Sequence, residues 1–162
     1  MAIVIRAAEG AEVERLLALY EWLFAPPGSR PDAWDPARAA VALRGAIDSH
    51  DAAVLVAVDR DPAAPGREAE EAAGLYVGIC TAYQDLHSVR FGYRAWIEDL
   101  AVHPDHCSRG VGKALLDAAK GWARERGATH LELDSGEART EAHRFYEREG
   151  PSWRSISYAW EL

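Results

Sequence analysis

The sequence contains few cysteines and no excess of positive charge. Two cysteines among 162 residues, Cys80 and Cys107, cannot build a disulfide framework, so a reducing, cytoplasmic setting is expected. Lys and Arg total 18 against 26 Asp and Glu, which gives a formal net charge of −8. Nucleic acids and anionic membranes bind to basic surfaces, so this balance predicts neither of them as a partner.

Long apolar runs are missing as well. No stretch approaches the roughly 18 consecutive apolar residues that a membrane-spanning helix needs. The first residues, MAIVIRAAEGAEVERL, do not follow a signal-peptide pattern, because an arginine and three glutamates occur within the first 14 positions. The remaining composition is that of an ordinary globular protein, with 49% hydrophobic and 27% charged residues. The length fits one domain, residues 1–162.

Hydrophobic periodicity predicts six strands and four helices. The predicted strands are Ala2–Ala7, Ala52–Asp59, Gly74–Tyr83, Arg94–Val102, Thr129–Ser135 and Trp153–Leu162. The predicted helices are Ala11–Leu23, Pro36–Ser49, Gly110–Arg126 and Thr140–Glu149. A hairpin loop is expected at Arg60–Glu71, and an irregular segment at Gln84–Tyr93.

The order of these elements predicts the fold class. Consecutive strands in the middle of the chain favour antiparallel hairpins, whereas the strand–helix–strand unit Arg94–Ser135 favours a parallel pair with a right-handed crossover. We therefore expect an α/β fold, a mixed and mostly antiparallel sheet with helices on both faces.

A glycine-containing loop before the longest helix is the main functional signal. The segment Arg109-Gly-Val-Gly-Lys113 opens this helix soon after a strand that ends at Val102. Glycines at a helix start let backbone N–H groups approach an anion, and the helix dipole favours negative charge there. The alternative is an ordinary glycine-containing loop. The pattern is neither a P-loop nor the three-glycine dinucleotide fingerprint.

This loop resembles the central motif of the GNAT-superfamily N-acetyltransferases. The family's strand ending L-x-V-x-P is matched by Leu100-Ala-Val-His-Pro104, and its [QR]-x-x-G-x-[GA] loop by Cys107-Ser-Arg-Gly-Val-Gly112. A second segment, Ala142-His-Arg-Phe-Tyr-Glu-Arg-Glu-Gly150, is similar to the family's A-x-x-[FL]-Y-x-x-x-G helix. The resemblance covers about Trp96–Gly150, and it implies the GNAT fold, in which the parallel strand pair is splayed to accept acetyl-CoA.

Two residues depart from the family pattern. Cys107 stands where the family has Gln or Arg, which leaves phosphate binding to backbone amides and the two neighbouring cations. Pro151 stands where an aromatic residue is usual, which puts the start of the last strand in doubt.

The resemblance also implies residue roles in a direct acetyl transfer from acetyl-CoA to an amine. Backbone groups of Leu100, Ala101 and Val102 would pair with the pantetheine arm. The pyrophosphate would be held by Arg109, Gly110, Val111, Gly112 and Lys113. Ala142 and Phe145 would complete the cofactor site, and Tyr146 would protonate the departing thiolate. Neither a nucleophilic cysteine nor a metal is expected, since the histidines show no metal-ligand spacing.

A general base is the second requirement of such a transfer. The resemblance implies a base on the strand before the loop, at the position of Glu98. Strict alternation places Trp96, Glu98, Leu100 and Val102 on one face, and Ile97, Asp99 and Ala101 on the other. Burying a carboxylate is unfavourable unless it has a partner or a role, so Glu98 is the candidate base and Asp99 the alternative. The alternative for both residues is a purely structural one, in which each is an acid at the strand edge that is exposed to solvent or ion-paired.

The acceptor is expected to be a primary amine of a small molecule: a polyamine, an amino sugar of the aminoglycoside type, or an aminoalkylphosphonate. An aromatic set near the proline-rich loop either lines an acceptor pocket or packs in the core; it comprises Tyr20, Trp22, Phe24 and Trp34. The alternatives are a protein N-acetyltransferase, which needs an open groove, and a non-catalytic acetyl-CoA-binding module. The resemblance also makes a homodimer an expectation.

Overall fold

The sheet has five strands that lie side by side in chain order. The computed structural model describes residues 2–61 and 74–160. The strands are β1 (Ile3–Ala7), β2 (Ala52–Asp59), β3 (Leu75–Ser88), β4 (Gly92–Val102) and β5 (His130–Leu133). Neighbouring strands are antiparallel except β4 and β5, which are parallel. The predicted fold class is therefore confirmed. From residue 62 onward, the predicted loop Arg60–Glu71 lies outside the described residues.

Helices cover both faces of this sheet. They are α1 (Val13–Ala18), α2 (Glu21–Phe24), α3 (Pro36–Asp48), α4 (Val111–Glu125) and α5 (Thr140–Arg148). Residues of α1 and α3 pack against one face in a core that includes Leu16, Leu43 and Val56. On the other face, α4 contributes Leu115 to a second core, against which Phe145 of α5 also packs. The apolar stripes that predicted these helices are thus their buried faces.

The first predicted helix, Ala11–Leu23, is divided into α1 and α2. The break lies at Leu19 and Tyr20, whose amides bond to carbonyls three residues earlier rather than four. Tyr20 is half-buried at this break, and its ring points toward the sheet. The short turn separates the apolar residues of α1 from the aromatic residues Trp22 and Phe24 of α2.

The prediction of an irregular segment at Gln84–Tyr93 is wrong, because β3 and β4 continue through it as a long hairpin. His87 pairs with Tyr93 in the register, and their rings stack with centroids 4.1 Å apart. The Arg94 guanidinium donates hydrogen bonds to the Asp85 carboxylate across the same strands. Such cross-strand pairs stabilise a hairpin whose polar composition gives no strand signal of its own.

The prediction of a strand at Trp153–Leu162 is wrong over its described residues, 153–160. These residues form no ladder, and the side chains of Trp153 and Trp160 are 52% and 79% exposed. Helix α5 ends at Arg148, Gly150 then takes the left-handed conformation with φ of 65°, and Pro151 follows without an N–H group to donate. Alternating aromatic residues are compatible with a strand, but a strand forms only where a neighbouring edge is available to pair with it.

A β-bulge in β4 changes the predicted facing of its residues. Thr81 of β3 pairs with Asp99, whereas Ala82 pairs with Ile97, so Glu98 is an extra residue in β4. Ile97 therefore packs on the α4 side together with Leu100, although strict alternation would separate them. The predicted assignment of Glu98 and Asp99 to opposite faces is also wrong, because both line one cleft on the α3 side.

Candidate active site

An opening between β4 and β5 forms the centre of the candidate site. The two parallel strands pair from Arg94 with His130 to Ile97 with Leu133. Strand β5 ends there, while β4 continues to Val102. Residues Leu100–Val102 still pair with β3 on one side. On the other side, toward β5, no strand of the described part of the chain lies beside them. An extended ligand can pair with this free edge as an added strand.

The start of α4 presents backbone amides next to this opening. Gly110 precedes the helix in the left-handed conformation, with φ of 83°, which a residue with a side chain adopts only with strain. The first helical hydrogen bond runs from Ala114 N to Gly110 O, at 2.9 Å. The amides of Val111, Gly112 and Lys113 thus precede it and have no backbone acceptor among the described residues. Together with the helix dipole they form a binding site for an anion.

Gly112 brings the three predicted cofactor segments into contact. A Cβ atom at this position would lie 3.5 Å from Cζ of Phe145 and 3.6 Å from Cγ2 of Val102. The end of β4, the first turn of α4 and the middle of α5 therefore meet at this glycine. A larger side chain here would extend into the space between the free strand edge and the amides.

The two cations of the loop differ in their surroundings. The Arg109 side chain is exposed and makes no ion pair with any residue that the structure describes. The Lys113 ammonium lies 2.9 Å from the Asp117 carboxylate and 3.1 Å from that of Glu149. Arg109 is consequently available to a phosphate, whereas the Lys113 side chain ties α4 to α5.

Tyr146 projects from α5 and is half-buried. Its hydroxyl makes no hydrogen bond to the described residues, and burial raises the pKa of this phenol to about 12. Ala142 lies one turn earlier on the same helix and is also half-buried. The fully buried Cys80 on β3 has its thiol pKa raised to about 12 by burial, so it stays protonated and is not a nucleophile.

Ser135 provides an unsatisfied polar atom just past the end of β5. Its Oγ is buried and has no hydrogen-bond partner in the described structure. A buried hydroxyl without a partner is unfavourable, by about 1–3 kcal/mol, unless a ligand satisfies it. A ligand with amide groups, such as pantetheine, suits this position, because the hydroxyl can donate to a carbonyl or accept from an N–H.

Asp99 is held in one orientation by two hydroxyl groups. Tyr20 Oη donates to Asp99 Oδ2 at 3.0 Å, and Thr81 Oγ1 donates to the same oxygen at 2.8 Å. The Asp99 amide donates back to Thr81 Oγ1 at 3.1 Å. Burial and the charge of Asp99 raise the pKa of Tyr20, which therefore remains a donor. These bonds fix Oδ2 and leave Oδ1 for a ligand.

Glu98 lies beside Asp99 and is exposed to the cleft. Partial burial raises the pKa of its carboxyl, and the charge of Asp99 raises it further. A hydrogen bond from Trp96 opposes this effect. Two adjacent carboxyls in unlike surroundings can divide two tasks. The geometry is compatible with Glu98 as the base and with Asp99 as a fixed acceptor of hydrogen bonds from the ligand.

The predicted aromatic set is divided between the cleft and the packing around it. Tyr20 and Trp34 line the cleft, with ring centroids 5.8 Å apart. Phe24 packs edge-on against Trp34 at 4.7 Å. Trp22 instead contacts the ring of His103, in the loop before α4, at 5.1 Å. Two members of this set therefore line a cleft and two pack beside it, and an acceptor role for the first two stays a prediction.

Sequence reasoning missed the contributions of Thr81 and Ser135. Thr81 lies in a strand that reads as buried core, 18 positions from the carboxylate that it supports. Ser135 was noted only as the end of a strand. Neither has a sequence signal of its own, because the role of each depends on a neighbour in space. No cluster of His, Cys, Asp and Glu suited to a metal occurs in residues 2–61 and 74–160, and no helix there is long and apolar enough to cross a membrane.

Comparisons with known proteins agree on a family. Residues 16–150 match the model of the Acetyltransferase (GNAT) family. Streptothricin acetyltransferase of Streptomyces lavendulae is 34% identical over 97 residues, which are 57% of this chain and 50% of that protein. The aminoalkylphosphonate N-acetyltransferase of Salmonella typhimurium is 35% identical over 77 residues, 48% of this chain and 50% of that protein. The chain spans about half the length of these curated relatives.

The solved structures show a shared fold. One of them is AAC(6')-Iy in complex with the bisubstrate analogue CoA-S-monomethyl-acetylneamine, which aligns with a TM-score of 0.73 at 19% identity. The alignment covers 100% of both chains. At this identity, the likeness concerns the fold and leaves the substrate open.

Proposed function

The chain belongs to the GNAT acetyltransferase family, and on that basis we propose that it is an acetyl-CoA-dependent N-acetyltransferase that acts on a primary amine of a small molecule. The resemblance found in the sequence is confirmed by the family match over residues 16–150. We propose the activity, the co-substrate and the acceptor class on this basis. We also propose that residues 1–162 form one domain and that the protein is a cytoplasmic homodimer.

The contact at Gly112 carries this proposal. It joins a free strand edge, a row of unpaired amides and the helix of Tyr146, as a substrate with an extended arm and a diphosphate requires. Leu100, Ala101 and Val102 would pair with the arm, while the amides of Gly110–Lys113 and the Arg109 side chain would hold the diphosphate. The unsatisfied Ser135 hydroxyl and the small Ala142 fit the passage of this arm.

The transfer would proceed in one displacement. Glu98 accepts a proton from the acceptor ammonium, directly or through a water molecule, and the free amine attacks the thioester carbonyl. The new C–N bond forms while the C–S bond breaks. Tyr146 donates its hydroxyl hydrogen to the departing sulfur. The acylated nitrogen then loses its second proton to the Tyr146 oxygen, directly or through water, which restores the hydroxyl, and Glu98 returns its proton to solvent. Acetylated amine and CoA leave, so that each ammonium acetylated releases one proton overall.

The acceptor side favours a small molecule over a polypeptide. The carboxylates Glu98 and Asp99 lie at one end of a cleft of about 430 Å³ that α3 covers. A polypeptide would need an open groove, and this volume is in the range of small-molecule sites. Relatives named for streptothricin and aminoalkylphosphonate acetylation support the same choice.

Release of CoA thiol in the presence of amines tests the activity. Purified protein is incubated with acetyl-CoA and a panel of amines, one peptide with a free N-terminus included, and each product is identified by mass. We expect one acetylated amine per CoA released, and only slow hydrolysis without acceptor. Binding of acetyl-CoA without acetylation of any panel member would instead identify a non-catalytic binding module.

Substitution of Cys107 tests the direct transfer. The thiol is exposed and donates to the His103 carbonyl oxygen at 3.6 Å, so it is not hydrogen-bonded to a ring nitrogen or a carboxylate of the described residues. Cys107→Ala is therefore expected to keep its turnover within about threefold of the parent. A loss above about a hundredfold, or about 2.7 kcal/mol of transition-state stabilisation, would point to an acyl-enzyme on this cysteine.

A further inference from the structure

The cleft beneath α3 has a polar end and an apolar body. Glu98, Asp99 and Thr81 lie together at one end, beside the β4 edge. The walls beyond them are formed largely by aliphatic and small side chains, among them Leu17, Leu43, Ala39, Ala42, Ala46 and Ala82. Three rings, those of Tyr20, Trp34 and Tyr83, also line the cleft. The polar side chains therefore form a minority of the lining, and the two carboxylates beside Thr81 are where we place the acceptor nitrogen.

The alanines of α3 explain why this space exists. Ala39, Ala42 and Ala46 recur at intervals of three and four residues, which places them on one side of the helix. Their methyl groups reach less far toward β3 than larger side chains would. Leu43 fills the adjoining part of the interface and is 5% exposed. On α3, Leu43 thus packs tightly into the core, whereas the neighbouring alanines leave room for the cleft.

Two further charged side chains line the cleft, Asp35 and Arg38, and both are exposed to solvent. Asp35 Oδ1 caps α3 by accepting hydrogen bonds from the Ala37 and Arg38 amides. The Arg38 guanidinium donates to the Ala33 carbonyl oxygen. Because water screens exposed charges, neither group is a strong site for a second charge on the ligand.

These surroundings discriminate between kinds of amine. A polyhydroxylated amino sugar would lose its hydration against walls that offer few hydrogen-bond partners, which is unfavourable for each buried hydroxyl. The second ammonium of a polyamine would face the same apolar wall. A phosphonate would need a cation, and the exposed Arg38 is the one that lines this cleft. An alkyl or aryl group instead gains free energy on burial, by about 25 cal/mol per Å².

We propose that the acceptor is a primary amine with a single cationic end and an apolar alkyl or aryl body, bound with its nitrogen at Glu98 and Asp99 and its body in the cleft. The inference rests on the proposed acetyltransferase function and names the substrate class of that site. The cleft volume of about 430 Å³ lies in the range of small-molecule sites, so the body is limited to that of a small molecule.

Competing acceptors test the class directly. The kcat/KM for phenylethylamine and hexylamine is measured beside spermidine, kanamycin and aminoethylphosphonate at saturating acetyl-CoA. We expect the two apolar amines to exceed the other three by about tenfold or more. Preference for kanamycin, spermidine or the phosphonate would overturn this inference and leave the acetyltransferase function standing. No acetylation of any amine, with acetyl-CoA still bound, would overturn both.

Two neighbouring residues of α3 provide a matched pair of variants. Ala42 lines the cleft, whereas Val41 is 73% exposed on another side of the helix and does not line it. Ala42→Phe is expected to raise the KM for phenylethylamine by about tenfold and to leave the KM for acetyl-CoA within about twofold, whereas Val41→Phe changes neither. Ala42→Leu, with a smaller loss, covers the case in which the larger ring disturbs folding, and melting curves check all three. Equal KM values for phenylethylamine in the parent and both Ala42 variants would overturn the placement of the acceptor body.

Discussion

Removing the Tyr146 hydroxyl is the most direct test of the proposed chemistry. Tyr146→Phe keeps the ring in its half-buried place on α5 and removes only the hydrogen that the departing sulfur would receive. Because burial raises the pKa of this phenol to about 12, the group is fully protonated at neutral pH and acts as a donor. The raised pKa also means that rising pH removes this donor only as it nears 12, so the hydroxyl imposes no loss of rate between pH 8 and 10.

The expected size of the effect follows from the mismatch between donor and leaving group. A free thiol has a pKa of about 8.5, roughly 3.5 units below that of Tyr146, so complete transfer to a free thiolate is uphill by roughly 5 kcal/mol. The hydroxyl therefore stabilises the sulfur by hydrogen bonding while the C–S bond breaks, and its hydrogen passes to sulfur only as the Tyr146 oxygen regains a proton. A hydrogen bond to a charged group contributes about 1.5–3 kcal/mol, which corresponds to about a ten- to hundredfold loss of kcat.

Steady-state CoA release with a good acceptor measures this loss. The KM for acetyl-CoA should stay within about twofold, because the hydrogen bond forms only as charge develops on sulfur. Tyr158→Phe is the matched control, since Tyr158 is 75% exposed in the C-terminal segment. Full activity of Tyr146→Phe would mean that water protonates the thiolate. An equal loss in both variants would show that the effect does not arise at the site.

Substitutions at four positions test the proposed diphosphate site and the proposed base. Gly112→Glu puts a bulky anion beside the amide row and should abolish the rise in melting temperature with acetyl-CoA, whereas Gly121→Glu, with open space at its Cβ position on the same helix, should keep it. Arg109→Met should raise the KM for acetyl-CoA by several-fold, and Lys113→Met by less, because the Lys113 ammonium is engaged by two carboxylates; the opposite order would contradict this assignment. Glu98→Gln should flatten the rise of kcat/KM with pH, since a carboxyl with a raised pKa gains its basic form as pH increases through that value; an unchanged pH profile would move the role of base elsewhere.

Local patterns in the sequence predicted most elements and the cofactor side of the site. Strand β2 begins and ends where its apolar run does, and α4 and α5 follow from stripes of period 3.6 between glycine-containing boundaries. The segments around Val102, Gly112 and Phe145 were identified from two motifs, and the structure brings them into contact. Helix periodicity and turn residues act over a few positions, so one sequence contains enough information to place them.

Those local patterns did not predict how the strands pair. The bulge at Glu98 is a mismatch of register between β3 and β4, and it places Glu98 and Asp99 in one cleft where alternation separates them. The hairpin through residues 84–93 and the unpaired residues 153–160 depend in the same way on whether an edge is available. A strand's own residues make it suitable for pairing, but its partner decides whether the hydrogen bonds form.

The cleft under α3, which is the proposed acceptor site, could not be predicted from the sequence because only the tertiary structure creates it. Tyr20 reaches Asp99 across 79 positions, and the cleft exists because the alanines of α3 lie over the sheet. The Lys113 ammonium, expected on the pyrophosphate, is bound instead by a carboxylate of its own helix and by Glu149, 36 positions away. The Lys113–Asp117 pair, four residues apart on one helix, is predictable from spacing, whereas the contacts of Lys113 with Glu149 and of Tyr20 with Asp99 join atoms that only folding brings together.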